Sequence, residues 1–552
     1  MSSAVDNGDT SDLSLRKAPE PGTGLAPTPA LGPAPTSEVA PPASKKEPPP
    51  ERPTDTRRRS WVIASFWIIV VCLGLPIWWH TTSIYRANLP VEKMLEWADG
   101  KACRPVFPLR ISIDPGSLQE QEAENLLRLT QHALDDLNDF SGHHLRLQLA
   151  QKGGELKQDS NVALTIRLSP GESTHTATSS LHPHVPVLDV SYPPNSIPTA
   201  NSPSSGLATY LAAQLRSTFS EEQNIISYLL ETSNVNMEQR PKAVSQDVAD
   251  SLSKRMTRSL KYSRTYHLTF SLFTNGPSPS SWEIEAAIDK YMRPVLDMLA
   301  PIHNFTIDTQ VQLYAAPGVQ SQVLSKEDLS SFINAAEWPL SPSIGGAPTV
   351  NFVVYTGNQT IGTEASETSQ SWLIPQWGSV YLLAPPSSPD VSADTLKQPV
   401  LTFTSHLLSL LGTPQSGSLP LRLSTLTRIR SADLLLRASS SLGSLARLSL
   451  ALKSISIPSR VAEGVAKSMH HLELACSSLG NPESLEHARI AEAEAERAFF
   501  EKSMVGQLYF PDEHKVAVYL PLLGPVGVPL VMGLLNEFKA WKKRRGLKAK
   551  TA

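Results

Sequence analysis

Three cysteines and fourteen histidines are the residues of this 552-residue chain best suited to covalent or metal chemistry. Acyl transfer needs a thiol or hydroxyl beside a base, with a third group orienting the base. Cys103 stands in K-A-C-R-P and Cys476 in L-A-C-S-S. Neither carries a nucleophile signature, and G-x-S-x-G, H-E-x-x-H and C-x-x-C are all absent. The histidines cluster as His143-His144, His182-Pro183-His184 and His470-His471. Adjacent histidines point to different faces, and no carboxylates stand beside them at metal-like spacing. Neither G-x-x-x-x-G-K-[ST] nor G-x-G-x-x-G occurs, so nucleotide binding has no support. Asp135-Asp136 and Glu283/Glu285 fit solvated helix faces. Trp372 and Trp377, in S-W-L-I-P-Q-W-G, fit either a carbohydrate surface or a turn packed on the core. The residues offer no cofactor and no metal site.

With no reactive constellation, the weight falls on the elements that would hold the chain in place. Two apolar stretches dominate. Trp61 to Trp79 is uncharged and has tryptophans at both ends, as interfacial anchors do. It begins too late, and lacks the small-residue cleavage site, for a signal peptide. Val516 to Leu535 is uncharged as well. At 1.5 Å per residue it is about 30 Å long, the thickness of a bilayer core. Arg57, Arg58 and Arg59 precede the first stretch; Lys539, Lys542, Lys543, Arg544 and Arg545 follow the second. Both basic flanks belong on the cytoplasmic side, which puts Thr81 to about Lys515 on the other. Pro521, Pro525 and Pro529 share one helical face of the second span. Each frees a carbonyl one turn back that lipid cannot satisfy. This face, with Gly524, is expected to pack against other membrane helices.

These signals divide the chain into 1–60, a disordered Pro-rich cytoplasmic tail; 61–79, the first transmembrane helix; 80–396, a lumenal α/β domain; 397–508, a lumenal helical region; 516–535, the second transmembrane helix; and 536–552, a basic cytoplasmic tail. Within 80–396, helices are expected over 119–137, 207–232, 243–257 and 282–299. Strands are expected over 162–168, 265–273, 306–313, 350–355 and 380–383, with a Pro/Ser-rich connection over 169–206. Strands alternating with helices predict an α/β arrangement, a mixed sheet with helices. From Lys397 only helical patterns follow, ending in an Ala/Glu-rich helix from Pro482 to Val505 that braces the second span. The net charge of -3 gives no excess that suggests nucleic acid. Cys103 and Cys476 fit a pair in an oxidising compartment or two buried small apolar residues. Asn304-Phe305-Thr306 and Asn358-Gln359-Thr360 are glycosylation sequons on the side away from the cytoplasm.

Several stretches together resemble one family, PIG-S, a subunit of the glycosylphosphatidylinositol (GPI) transamidase complex. They are L-G-L-P-I-W-W-H-T-T-S-I-Y-R-A-N-L-P from Leu73, Y-H-L-T-F-S-L-F from Tyr266 and W-E-I-E-A-A-I-D-K-Y-M-R-P-V-L-D-M-L from Trp282. N-F-T-I-D-T-Q-V-Q-L-Y-A follows from Asn304 and P-Q-W-G-S-V-Y-L-L from Pro375. The last is A-F-F-E-K-S-M-V-G-Q-L-Y-F-P-D-E-H-K-V-A-V-Y-L-P-L from Ala498. The resemblance implies a non-catalytic subunit of the endoplasmic reticulum membrane. The complex would cleave a C-terminal signal from a proprotein and join the new carboxyl end to the ethanolamine of a preassembled GPI lipid. The catalytic cysteine would lie in the caspase-like PIG-K, with PIG-T, PIG-U and a GAA-type subunit as further partners. Contact with membrane lipid follows, and the GPI lipid and proprotein are candidate contacts. Asn304 matches a lumenal sequon in similar proteins. Lys548 and Lys550, third and fifth from the end, resemble a dilysine retrieval signal. Two other readings stay open: a membrane-tethered lumenal hydrolase or transferase resting on Cys103 and Cys476, and a glycan-binding lumenal receptor resting on Trp372 and Trp377.

Overall fold

The computed structural model describes residues 52–82, 85–137, 142–150, 162–171, 176–199, 202–233, 245–334, 338, 346–362, 368–452, 455–504 and 512–550. Most of the expected tail, 1–51, lies outside them. The chain divides into two compact units, residues 1–76 with 527–552 and residues 77–526.

The first unit is built on two long apolar helices. Helix α1 (Pro53–Ile69) continues through a π-helical turn, Val70–Gly74, into α2 (Leu75–Thr82). The helix starts well before Trp61, taking up the last residues of the expected tail. Pro53 sits at its first position, where a missing N–H costs nothing. Pro76 has no N–H to offer the preceding turn, and the hydrogen-bond ladder widens just before it. The last helix, α14 (Asp512–Lys550), runs through Pro521, Pro525 and Pro529 without a break. Thr54–His80 and Ala517–Lys543 are long and apolar enough to cross a membrane. Neither is buried in the protein; Phe66, Ile68, Leu520 and Leu523 stand outward.

The second unit holds two five-stranded sheets. The first contains β1 (Phe107–Asp114), β2 (His143–Leu149), β3 (Val162–Pro170), β4 (Thr178–Leu181) and β5 (Val187–Tyr192), in the order β2-β1-β3-β5-β4. All neighbours are parallel except the edge strand β4, antiparallel to β5. The stretch expected to be a plain connection thus contains β4 and β5. Pro108 is tolerated in a central strand for a geometric reason. Phe107 donates its N–H toward the β2 side, to Gly142 O, so Pro108 faces the other way. On that side β3 begins pairing only at Arg110.

The second sheet contains β6 (Thr265–Thr274), β8 (Asn304–Gln312), β10 (Thr349–Thr356), β13 (Ser371–Ile374) and β14 (Gly378–Leu383), in the order β13-β14-β10-β6-β8. Four strands are parallel and the edge strand β13 is antiparallel to β14. Two small sheets accompany it: β7 (Ser281–Trp282) with β15 (Asp390–Val391), and β9 (Val323–Leu324), β11 (Thr360–Gly362) and β12 (Thr368–Ser369). Gly378 has φ 149°, and a Cβ there would lie 1.9 Å from Asn351 O, so only glycine fits where β14 meets β10.

Helices α4 (Glu120–Leu137) and α5 (Gly206–Ser233) belong with the first sheet, and α6 (Gln246–Arg258) joins the sheets. The expected helix over 282–299 is broken into α7 (Ile284–Tyr291) and α8 (Arg293–Leu299), because Pro294 cannot continue the first ladder. Short α9 (Asp328–Ser331) and α10 (Lys397–Leu410) follow. The C-terminal block is α11 (Leu419–Ala451), α12 (Ser459–Ser477) and α13 (Glu483–Phe499). The expected border at Lys397 falls inside the second layer, since α10 packs on β14 and α7. Conversely, α3 (Val91–Ala98), from the N-terminal side, packs on α11. Gly443 permits that approach: a Cβ there would lie 2.3 Å from Ala98 Cβ. One continuous apolar core links the inner faces of both sheets to the helices. The helical block is therefore part of the body's core.

Candidate functional site

The two cysteines weighed as nucleophiles are bonded to each other. Cys103 precedes β1, Cys476 lies in the last turn of α12, and their Cα atoms are 6.3 Å apart. Neither offers a thiol while so bonded. The remaining cysteine, Cys72, stands exposed in the π turn of the first apolar helix. Two hydroxyls touch histidines at short range among the described residues: Thr306 Oγ1 of the edge strand β8 meets His267 Nδ1 of β6, and Ser379 Oγ lies 2.5 Å from His406 Nδ1. Ser379 is fully buried and its hydroxyl also donates to Trp372 O, so no substrate atom can reach it. Burial lowers the His406 pKa.

The His143-His144 pair separates, as the β-strand period requires. His143 points into the core and His144 out of it. His143 Nε2 lies 2.9 Å from Glu222 Oε1, and its Nδ1 2.9 Å from Gln223 Oε1. Glu222 also accepts from Arg428 Nε (2.6 Å), Arg428 Nη2 (2.8 Å) and Thr425 Oγ1 (2.9 Å). Burial alone would raise this carboxyl; Arg428, with His143 beside it, outweighs burial and holds it at about 2. The network ties α5 to α11 and β2. His182 Nδ1 accepts from the backbone N–H groups of His184 and Val185, closing a turn. His471 and His487 approach with Nδ1 atoms 3.1 Å apart. Among the described residues no three metal-ligating side chains come together.

A second polar cluster fastens α13 to the second sheet. Arg489 donates to Tyr262 Oη at 2.7 Å and to the backbone oxygens of Pro301 and Ile302. Arg430, on α11, stacks over Tyr262 and donates to Leu411 O. His303 is buried beside them, its Nδ1 2.7 Å from Ser263 O. Burial and the charge of Arg430 push its pKa down to about 3. On the neighbouring face, burial and the Glu496 carboxylate raise Glu492 to about 7 despite Arg437. A groove of about 330 Å³ between α4 and α5, lined by Ala133, Thr209, Ala212 and Arg216, gathers no reactive pair.

The other residues singled out from the sequence are spread over the surface. Asn304 is exposed at the start of the edge strand β8, and Asn358 is exposed in the turn after β10. Asp136 pairs with His132 on a solvent-facing turn, and Glu283 accepts from Ala393 N. Trp372 and Trp377 pack on the second apolar cluster, Trp372 edge-on to Phe332 at 5.4 Å. This is the packed turn rather than an open platform. Pro521, Pro525 and Pro529 are exposed, and a Cβ on Gly524 would meet nothing within 4 Å. Lys548 and Lys550 fall in the final turns of α14.

One contact was not anticipated. Glu537 of α14 accepts from Arg59 Nε (2.9 Å) and Ser60 Oγ (2.8 Å) of α1. One turn away, Ile63 Cδ1 lies 3.5 Å from where a Cβ on Gly533 would stand. An acid two residues past the apolar block, inside a basic cluster, was the available signal.

Comparison with known proteins matches residues 65–544 to the family described as phosphatidylinositol-glycan biosynthesis class S protein, PIG-S. The GPI-anchor transamidase component PIGS of Bos taurus is 27% identical over 533 residues, covering 87% of this chain and 95% of that protein. The component of the same name from Homo sapiens is 26% identical over 539 residues, covering 87% and 95%. The GPI transamidase component GPI17 of Saccharomyces cerevisiae is 25% identical over 529 residues, covering 87% and 92%.

Proposed function

The chain belongs to the PIG-S family, and from that membership we propose that it is a non-catalytic structural subunit of a GPI transamidase complex in the endoplasmic reticulum membrane. The observation that carries the reading is the span of the similarity. It covers nearly the whole of relatives named as transamidase components, from one apolar helix to the other. The disulfide adds support, because it removes the two thiols on which an independent hydrolase would rest.

On this reading both basic termini lie in the cytoplasm and the two-sheet body in the lumen. The lumen is oxidising, in keeping with a Cys103–Cys476 bond. Exposed Asn304 and Asn358 are then open to glycan addition, and the basic end with Lys548 and Lys550 is placed to act in retrieval. The catalytic cysteine belongs to a caspase-like PIG-K partner, with PIG-T, PIG-U and a GAA-type subunit completing the assembly. The outward Pro521-Pro525-Pro529 face and Gly524 meet membrane helices of those partners. There the GPI lipid and the proprotein signal come within reach of the assembly.

Affinity purification of the tagged chain in a gentle detergent, followed by mass spectrometry, tests membership. Recovery of the other transamidase subunits, and loss of GPI-anchored proteins from the surface of cells lacking the chain, is expected. A chain that purifies alone and is dispensable for anchoring would overturn the reading.

A further inference from the structure

We propose that Glu537 locks the two membrane spans together at their cytoplasmic border, fixing them as an antiparallel pair in one register. Arg59 and Ser60 are its partners, and Ile63 over Gly533 is the packing step beneath. The inference rests on the topology proposed above, in which both basic ends lie on one side.

Three observations carry it. First, the positions one turn from Glu537 on its own helix hold no cation. The positions one turn away are Gly533 and Leu534 on one side, Ala540 and Trp541 on the other. The neighbouring lysines, Lys539, Lys542 and Lys543, are off that face. The cation comes from the first helix instead: Arg59 Nε at 2.9 Å, with Ser60 Oγ at 2.8 Å on the second carboxylate oxygen. Both of these partners come from the other long apolar helix.

Second, the levels agree. Arg59 lies two residues before the apolar run that starts at Trp61. Glu537 lies two residues after the run that ends at Leu535. Ile63 and Gly533 each lie four residues further in. Two antiparallel spans with flush cytoplasmic ends bring these pairs to the same depth. Third, the contact face is built from small groups. Gly533 and Ala540 flank Glu537 at i−4 and i+3, letting the first helix approach. On that helix Thr56, Ser60, Ile63 and Trp67 are half-buried at helical spacing, with Ser65 half-buried beside them.

The same geometry explains why the prolines are left out. Pro521, Pro525, Pro529, Gly533 and Glu537 form one i, i+4 row. Such a row drifts by about 40° per step around a helix of 3.6 residues per turn. Only Gly533 and Glu537 therefore meet the first span, and the prolines have rotated away from it. The clamp thus leaves the proline face free for other helices.

The test uses the full chain in sealed microsomes, with Cys72→Ala to remove the free thiol. Ile63→Cys with Gly533→Cys should form an intramolecular cross-link under mild oxidation. The pair Val62→Cys with Leu534→Cys lies at the same depth but on exposed faces, and should cross-link at least several-fold less. Glu537→Ala should lower the yield of the first pair several-fold, and Arg59→Glu with Glu537→Arg should restore it. Equal yields for the two pairs, or no effect of Glu537→Ala, would overturn the clamp. An impermeant maleimide on Ser2→Cys and Thr551→Cys reads topology separately. Both termini labelled without cross-linking defeats the clamp alone; a shielded terminus defeats the topology and the clamp with it.

Discussion

Counted within each sheet, the first runs β2-β1-β3-β5-β4 and the second β8-β6-β10-β14-β13, which is the same strand order twice. Both end in an antiparallel edge hairpin, β4–β5 and β13–β14. What differs is their cover. Both inner faces enter the common core: Leu109, Ile111, Leu164 and Ile166 from one sheet, Leu268, Phe270, Phe352 and Val354 from the other. The outer face of the second sheet is apolar too. Phe273, Val353, Tyr355, Val380 and Leu382 pack there under Phe332 and Trp338. The outer face of the first displays Arg110, His144, Arg146 and Gln148, and no apolar cluster among the described residues covers it. The difference begins in one connection. Between β2 and β3 the chain has only residues 150–161, whereas between β8 and β10 it has 313–348, which carry β9, α9, Phe332 and Trp338. A parallel sheet is normally buried on both faces. The second meets that rule with its own cover; the first meets it on one side only.

The two sheets should accordingly respond differently to damage on equivalent faces. Phe273→Ala, on the covered outer face, should cost about 3–5 kcal/mol and abolish normal accumulation of the chain. Arg110→Ala, on the open face, should stay within about 0.5 kcal/mol. Thermal unfolding of the purified chain checks both, and equal losses would mean that the first sheet has a cover as tight as the second. Glu222→Ala comes next. It strands Arg428 in the core and should cost about 3–5 kcal/mol, with hydrogen exchange rising first in α5 and α11 of the first layer. Breaking the attachments of the two layers should cost less. The segment entering the first sheet is tied to α12 by a disulfide across a sequence separation of 373. Cys103→Ser should cost about 2–4 kcal/mol. The second sheet is tied to α13 by Arg489, and Arg489→Ala should cost about 1.5–3 kcal/mol because Tyr262 and two carbonyls lose a charged donor. The reverse ranking would mean that the polar clasp is the stronger tie.

The same contrast explains what could be read in advance. Four strands of the second sheet are legible, because β6 alternates apolar with polar residues and β10 and β14 carry the apolar runs 352–355 and 380–383; the edge strand β13 is not. Strands β1 and β2 escaped notice because a one-faced sheet interleaves its apolar residues with Pro108, Arg110, His144 and Arg146. Strands β4 and β5 hid in a stretch rich in proline and serine. Their pairing is decided by neighbours distant in sequence, which local composition cannot register. The two long apolar helices were legible from hydropathy alone. Their contact was not, since Arg59 and Glu537 lie 478 residues apart and the acid beside the basic tail does not by itself name its partner.

The smallest effect concerns acid, and it separates the layers by pH. In the first, Glu222 is held at about 2 against an ordinary 4.5, so its stabilisation is complete above pH 4.5 and is lost as pH falls toward 2. In the second, His303 stays neutral down to about 3, while the unfolded chain takes up that proton near 6.5. Stability is therefore lost as pH falls from 6.5 toward 3. Glu492 opposes this: raised to about 7, it takes up its proton in the fold before the unfolded chain does, so stability is gained as pH falls from 7 toward 4.5. Each group contributes a slope of at most about 1.4 kcal/mol per pH unit, and between 4.5 and 6.5 the two offset each other. Glu492→Gln removes one side of that balance. The variant should be about 1 kcal/mol more stable than the parent at pH 7.5. It should then lose stability on moving from pH 6.5 to 5.5, where the parent stays level, and exchange should quicken in β8 and α13 before the first sheet. Denaturant unfolding at a series of pH values measures this, and a variant as level as its parent would mean that His303 does not govern the second layer.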